Sequence, residues 1–234
     1  MAITLGAGVS ADSSGTSASP ASAALTLTAG RQAVGLLIWQ STTITLTAPT
    51  LSGGGTMTLI GSPLTVTSTC RMQLCYHANI PGSGSQTMNG TLSGSAVWAA
   101  SMIELQGGDT AAFYTGNEVS LQGDSNVGSV DPVPWSITTA NTDDCIIVAI
   151  IHGGSVWSGM TGLTNFSFAD IGVLANDGHH QLSAGAAGVK NFNGTQSVFS
   201  VYGIKGAAFK AGAAAAASHV PFNRGARFAE MLRF

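Results

Sequence analysis

The stretch RQAVGLLIWQ at residues 31–40 is an apolar run of strand length, and DCIIVAIIH at residues 144–152 has the same character. Such runs, bounded by polar or small residues, are typical of β-strands. Each run is followed by a small-residue strand and then by a strand that contains an aromatic residue. These segments are residues 72–79 and 96–106 in the first half, and residues 181–190 and 197–205 in the second. The repeated order predicts one β-sandwich built from two similar halves.

Shorter segments add further strands. Residues 43–47 (TITLT) alternate strictly between polar and apolar side chains, which is typical of a half-buried strand. The other short candidates are residues 2–5, 24–28, 57–60, 64–67, 87–92 and 135–139. Residues 6–22 are predicted to form a loop of small residues, and residues 107–142 are the most irregular stretch. The total of roughly 8–12 strands, with frequent turn signals, is typical of β-sandwiches.

The composition favours a subunit of an assembly. Only 8% of the 234 residues are charged, against roughly 25% in an ordinary soluble domain. A low-charge surface rich in Ser, Thr and Gly is unusual for a freely diffusing monomer. Residues 1–189 carry ten acids and two bases, whereas residues 190–234 carry six bases and one acid. The basic end is expected either to meet an acidic partner or simply to face solvent.

The sequence predicts synthesis in a cytoplasm and no membrane insertion. No apolar stretch approaches the roughly 18–20 residues that span a bilayer, and the opening MAITLGAGVS lacks the basic and apolar regions of a secretory signal. Cys70 and Cys75 lie five residues apart on one predicted strand, so they should point to opposite faces and make poor disulfide partners. Cys145 is predicted to be a small buried hydrophobic residue.

The end of the chain has a different pattern. Residues 211–217 have high helix propensity apart from Gly212, and Asn223 is predicted to cap a short helix that runs to Phe234. A helix of about 11 residues is marginal alone in water, so it should dock on its own sandwich, on a sister subunit or on another protein. The predicted docking residues are Phe222, Arg224, Arg227, Phe228, Met231, Leu232, Arg233 and Phe234.

Four segments together resemble the concanavalin A-like jelly-roll modules of tailed-bacteriophage virion proteins and some bacterial surface proteins. They are SGTSASPASAALTLTAG (residues 14–30), SGSAVWAASMIELQG (93–107), WSITTANTDDCIIVAI (135–150) and QSVFSVYGIKGAAF (196–209). In those modules a strand with Trp or Phe near its start ends each half, as Trp98 and Phe199 do here, and residues 141–144 supply the Asn-Asp turn. The resemblance covers residues 14–209.

The resemblance implies an all-β, two-sheet jelly-roll sandwich at residues 23–209. The residue patterns predict, beside it, an N-terminal arm at 1–22 and a helical docking tail at 210–234. It implies a non-enzymatic virion structural subunit, displayed on the head or tail as a decoration or short appendage. Its partners would be sister subunits, with a trimer slightly favoured, and other virion proteins. The alternative is a carbohydrate-binding adhesion or receptor-binding module that contacts a host-surface glycan.

No catalytic residue is predicted. The chain has no GxSxG elbow, and no spacing of Ser, His and Asp singles out a triad. Aromatic rings in irregular segments often stack on sugars, which makes Tyr114, Trp135 and Trp157 the candidate sugar-binding residues. The alternative is that these rings close the core of the sandwich. The arginines of the tail are too few for a nucleic-acid interface.

Two segments have some of the features of a metal site. Residues 177–180 (DGHH) are the most metal-like cluster, but adjacent strand residues point to opposite faces, so a polar loop at a strand start is the favoured interpretation. An oxygen-rich calcium site within residues 107–131 is a weaker candidate, because the sixth and twelfth positions of a calcium loop are occupied by Ser129 and Trp135. Its candidate ligands are Asp109, Glu118, Asp124 and Asp131. No other cofactor is predicted.

Overall fold

The computed structural model of the protein describes residues 2–6, 10–66, 69–124, 132–153, 157–158, 162–166, 168, 170, 174–196 and 201–212. These residues form 18 β-strands and no helix, which confirms the all-β class. All pairings between the strands are antiparallel. A search of this part of the chain finds no helix with the length and apolar character to cross a membrane.

The first half of the chain contains ten strands. They are β1 (Thr4–Leu5), β2 (Ala11–Ser17), β3 (Leu25–Leu27), β4 (Gln32–Trp39), β5 (Leu46–Leu51), β6 (Thr58–Val66), β7 (Cys70–His77), β8 (Gly84–Gln86), β9 (Met88–Leu92) and β10 (Ala96–Gln106). The main sheet has the order β2-β10-β4-β7-β6, with the short β1 beside the end of β10. The pairs β3-β8 and β5-β9 form a second layer.

The second half contains eight strands. They are β11 (Tyr114–Asp124), β12 (Pro132–Thr139), β13 (Cys145–Gly153), β14 (Trp157–Ser158), β15 (Thr164–Phe166), β16 (Leu174–Gln181), β17 (Gly188–Gln196) and β18 (Val201–Phe209). The main sheet has the order β11-β18-β13-β16-β15, and β12-β17-β14 form the second layer.

The strand order of the first half is repeated in the second. When the strands are counted from β2 and from β11, with β8 and β9 taken together, each main sheet has the order 1-8-3-6-5 and each second layer the order 2-7-4. The chain therefore contains two halves with the same winding. Each half has two layers of its own, so the described strands form five sheets in four layers instead of the two sheets expected from the sequence.

Three apolar clusters separate the four layers. The central cluster packs the two main sheets together, and its members from β4 and β13 are Val34, Leu36, Ile38, Cys145, Ile147, Ala149 and Ile151. Intervening residues of β4, such as Leu37 and Trp39, pack against the second layer of the first half. Those of β13, such as Val148 and Ile150, pack against the second layer of the second half. Both strands are buried on both faces, which explains their continuous apolar runs.

The predicted loop at residues 6–22 is wrong over β2, which pairs with β10. The small polar residues of β2 are typical of a loop, but here they form a strand that leaves space for a tryptophan ring. Trp98 lies across Gly15, where an added Cβ would be 3.0 Å from the indole ring, and its Nε1–H donates to the Ser17 hydroxyl at 3.0 Å. Small residues are therefore required at this edge of the sheet.

The predicted strand at residues 181–190 is also wrong, because this segment contains the end of β16, a turn and the start of β17. Gly185 and Gly188 have φ values of 69° and 133°, which favour glycine and interrupt a strand. The small-residue strand equivalent to β7 is instead β16, whose polar sequence concealed it. The two strands predicted at 57–60 and 64–67 are replaced by the single strand β6 (Thr58–Val66), which has a register shift between Ile60 and Leu64.

Residues 43–45 lie outside β5, although their alternating pattern predicted a strand. The Ser41 hydroxyl accepts hydrogen bonds from the backbone N–H groups of Thr43 and Ile44, at 3.2 and 3.0 Å. The Ile44 carbonyl accepts a bond from the Trp39 indole at 3.0 Å. These local side-chain bonds replace the bonds of a sheet ladder.

The cysteine predictions are confirmed. Cys70 lies in the central cluster and Cys75 in the cluster of the first half, so the two side chains point to opposite faces of β7. Cys145 is fully buried in the central cluster. All three are free thiols.

Candidate functional site

An open cleft of about 610 Å³ lies at the edge of the main sheet of the second half, where β15 pairs with β16. The described residues that line it are Ser10, Asn165, Phe166, Phe168, Asp170, Asn176 and Asp177. Ser10 immediately precedes β2, so the N-terminal segment of the first half reaches strands of the second half here. We refer to this site as the β16 cleft.

The register of β16 determines which of its side chains share a face. Directly opposed residues of antiparallel strands lie on the same face of the sheet. Asn176 opposes Ile151, whereas Asp177 opposes Ile150. Asn176 therefore lies on the face of the central cluster, and Asp177 on the face toward the second layer.

Gly178 makes room for one wall of the β16 cleft. It opposes Phe166 in the register of β15 and β16. A Cβ at Gly178 would collide with the Phe166 ring. The glycine therefore allows the ring to lie close against the β16 backbone, beside the polar residues of the cleft.

Both carboxylates of the β16 cleft are oriented by a donor behind them. His152 Nε2 lies 2.9 Å from Asp177 Oδ2, and the imidazole is 4% exposed whereas the Asp177 side chain is 34% exposed. Asp170 Oδ1 accepts a hydrogen bond from the Asn176 backbone N–H at 2.8 Å. A carboxylate has about four lone-pair sites, so each group retains acceptor capacity toward the cleft.

Two buried histidines of β16, His179 and His180, favour their neutral forms. Burial lowers the pKa of His179 to about 4; the nearby Asp177 opposes this shift, and His180 and His152 add to it. Burial also lowers the pKa of His180 below its ordinary value. No lysine or arginine is among the described lining residues. The described lining of the cleft is therefore acidic.

The chemistry of the β16 cleft suits ligand binding. Two carboxylates accept hydrogen bonds, two asparagine amides and a serine hydroxyl can both donate and accept, and two phenylalanines supply apolar surface. Within the described residues, no group of three or more His, Cys, Asp or Glu side chains is arranged to hold a metal ion.

Two of the three predicted sugar-binding aromatics, Trp135 and Tyr114, lie outside the described lining of the cleft. Trp135 is 5% exposed and stacks on Phe192, with ring centroids 4.4 Å apart. Tyr114 is half-buried and packs against Tyr76 and Phe209, with ring centroids at 5.8 and 6.3 Å. The side chain of Trp157 lies outside the described part of the structure. Trp135 and Tyr114 therefore close cores, as in the alternative interpretation of these rings.

The calcium candidates that the structure describes are each near a different lysine. Asp109 forms an ion pair with Lys210 at 2.7 Å and accepts two backbone N–H bonds, and these contacts hold its pKa below the usual value. Glu118 lies 3.8 Å from the Lys205 ammonium. Asp131 and the side chain of Asp124 lie outside the described residues.

The favoured interpretation of residues 177–180 as a polar loop is wrong, since they lie within β16. The cleft residues Asn165, Phe166, Phe168 and Asp170 were not predicted from the sequence. The alternation in NFSFAD places both phenylalanines on one side of an extended chain, and this signal could have been used. The contribution of Ser10 has no local signal, because it comes from the distant N-terminal segment.

The predicted docking residues Phe222, Arg224, Arg227, Phe228, Met231, Leu232, Arg233 and Phe234 all lie outside the described residues. The described start of the tail is attached to the body. The Lys210 N–H donates to the Phe113 carbonyl and the Gly212 N–H to the Gly107 carbonyl, each at 2.7 Å. Any free tail therefore begins after Gly212.

Comparison of the chain with protein-family models, with curated proteins and with solved structures gives no match. Function is therefore inferred from the winding of the strands and from the residues of the cleft.

Proposed function

We propose that the protein is a non-enzymatic structural subunit of a tailed-bacteriophage virion, displayed on the exterior of the head or tail as a decoration or short appendage. The observation that carries this proposal is the repeated strand order, 1-8-3-6-5 in one layer and 2-7-4 in the other. We interpret the shared order 1-8-3-6 and 2-7-4 as the winding of a jelly roll, an architecture of viral capsid and lectin domains, from which the fifth strand departs by joining the main sheet. The step from fold to function is an analogy, to which the sequence resemblance adds.

The surface of the body supports a displayed role. The outward residues of β12 include Ser136 and Thr138, which alternate with the buried Trp135 and Ile137. Uncharged hydroxyl side chains of this kind account for the low charge content of the chain. Such a surface suits a rigid body held in an assembly better than a freely diffusing protein.

The same surface favours the tail as the mooring contact. Among the described residues, the exposed large hydrophobic side chain is Val189, at 61%. One side chain is too small a patch for a stable interface. Much of the predicted N-terminal arm is paired with β10 through β1 and β2. Residues 213–234, with their phenylalanines and arginines, are therefore proposed to bind sister subunits, as a trimer, or other virion proteins.

The test compares the full-length protein with a protein truncated after Gly212, which keeps the backbone bond to Gly107. Light scattering should give an oligomer for the full chain and a monomer for the truncated chain, with the same β-type circular dichroism in both. The truncated chain should also fail to join particles. Normal incorporation of the truncated chain would contradict the proposal, whereas a full-length monomer would contradict the trimer and leave other virion proteins as the partners of the tail.

The second candidate is a carbohydrate-binding adhesion or receptor-binding module. The observation that favours it is the β16 cleft, with two oriented carboxylates beside phenylalanine rings. Lectin domains share the jelly-roll winding. A glycan array of the full-length protein tests it, and saturable binding to at least one glycan is the expected result.

A further inference from the structure

We infer that the β16 cleft is the binding site for a neutral pyranose sugar, held by Asp170, Asp177 and Asn165. This inference rests on the second proposed function, carbohydrate binding, and it specifies the site and the ligand class. It is independent of how the protein is moored. Its location differs from that of the aromatic residues that the sequence singled out.

The first argument is the fixed orientation of the two acceptors. A binding site gains affinity when its polar groups are held in place before the ligand arrives. Asp177 is held by the buried His152 at 2.9 Å, and Asp170 by the backbone N–H of Asn176 at 2.8 Å. Neighbouring hydroxyl groups on a pyranose ring are donors that suit such carboxylates.

The second argument is the charge of the cleft. Its described lining has two carboxylates and no lysine or arginine, and the adjacent His179 is neutral at pH 7 because of its burial. An anionic ligand would meet repulsion that nothing in this lining offsets. Neutral hydroxyl-bearing ligands meet no such penalty, so uncharged sugars are favoured over sialylated, sulfated or phosphorylated ones.

The third argument is the combination of shape and apolar surface. The volume of about 610 Å³ falls within the roughly 300–1,000 Å³ of ligand pockets. Phe166 and Phe168 are each 6% exposed, so a small part of each side chain is accessible from the cleft. The C–H groups of a sugar can pack against this apolar surface while its hydroxyls bond to the acids.

A divalent cation is the competing occupant, because carboxylates also bind calcium. Calcium takes 6–8 oxygen ligands, whereas one oxygen of each cleft carboxylate already accepts from His152 or from Asn176. The described residues contain no cluster of three metal-ligating acidic, His or Cys side chains. The two phenylalanine rings of the cleft would supply no ligand atom to a cation.

The experiment uses the full-length protein in about 1 mM EDTA. The chelator removes free calcium, so that even a weak calcium site stays empty. The probes are methyl glycosides of glucose, galactose, mannose and N-acetylglucosamine, with N-acetylneuraminic acid as the anionic control. Binding is measured by saturation-transfer NMR and calorimetry. At least one neutral glycoside should bind, and the anionic sugar should not.

The variants are Asp170→Asn and Asp177→Asn, which keep the side-chain shape, with Asp109→Asn as a control acid outside the cleft. Each cleft variant should raise the Kd about tenfold or more, because the sugar loses one hydrogen bond to a charged group. The control Asp109→Asn should bind as the wild type does. Circular dichroism checks that every variant is folded; Asp170 is exposed, so its replacement leaves the core untouched.

Three results would overturn the inference. Unchanged binding in both cleft variants would place the sugar elsewhere and leave the carbohydrate-binding function standing. Binding that appears only when calcium replaces EDTA would make the cleft a cation site. Binding of none of the glycosides, and of nothing on the glycan array, would remove the carbohydrate-binding function as well, without bearing on the virion role that truncation tests.

Discussion

Replacement of Lys205 tests how the two halves are held together. Its side chain is fully buried between the main sheets. The ammonium donates to the Ser62 carbonyl at 2.9 Å and to the Ser120 hydroxyl at 3.1 Å, and lies 3.8 Å from the Glu118 carboxylate. Ser62 belongs to β6 of the first half, and the other two belong to β11 of the second. Lys205 therefore connects the halves at their rim.

The size of the effect follows from what each substitution removes. Lys205→Ala removes three buried methylene groups, which at about 0.8 kcal/mol each amount to about 2.4 kcal/mol. The cavity left behind adds to this, so the free energy of unfolding should fall by about 2–5 kcal/mol. Lys205→Met keeps most of the buried volume. Ser62, Ser120 and Glu118 are exposed residues that water can solvate when the ammonium is removed. The free energy of unfolding of Lys205→Met should therefore fall by less than about 1.5 kcal/mol.

Urea denaturation at pH 7, followed by tryptophan fluorescence and circular dichroism, gives both values. The reasoning predicts a clearly larger loss for Lys205→Ala than for Lys205→Met. Equal losses would show that the ammonium contacts outweigh the packing of the aliphatic stem, and would refute the reasoning. A loss below about 0.5 kcal/mol in Lys205→Ala, the size typical of a neutral surface substitution, would refute the burial itself.

Three further predictions concern other buried groups. Because burial lowers the pKa of His179 to about 4, the unfolded chain binds more protons below pH 6.5; the urea midpoint should therefore fall as the pH decreases from 6.5 toward 4, and this slope should be shallower in His179→Leu. Burial raises the pKa of the Cys75 and Cys145 thiols, so a thiol reagent at pH 8 should label neither in the native protein and both in urea; rapid native labelling would contradict their burial. Gly35→Ala should lower stability by about 1–3 kcal/mol in thermal melts, because a Cβ would collide with Met88 and lie 2.8 Å from Cys75 Sγ; an unchanged melting temperature would argue against this packing.

The central strands of the two main sheets, β4 and β13, were the predictable part of the fold. The runs at residues 31–40 and 144–152 are apolar at nearly every position, because β4 and β13 lie between two layers and bury both faces. This is a local pattern, so the residues themselves record it. The faces of Cys70 and Cys75 were predictable for a similar reason, since side-chain alternation along one strand is fixed by backbone geometry.

Strands with small or polar sequences were not predictable. The sequence of β2, ADSSGTS, resembles a loop, and its strand conformation depends on the edge of β10 and on the Trp98 ring. The burial of the β16 histidines was unpredictable for the same reason, because it also depends on tertiary packing. They are buried by neighbouring strands, although nothing in their own composition favours burial.

The sequence by itself determined the all-β class, the apolar central strands β4 and β13 and the faces of the cysteines, because these depend on side-chain patterns within single segments. The tertiary structure decided which layers the strands join and where the cleft lies. Lys205 contacts Ser62 across 143 positions of the chain. Ser10 lines the β16 cleft together with Asp170 and Asp177. Contacts between such distant residues depend on how whole sheets pack, which no local pattern of residues records.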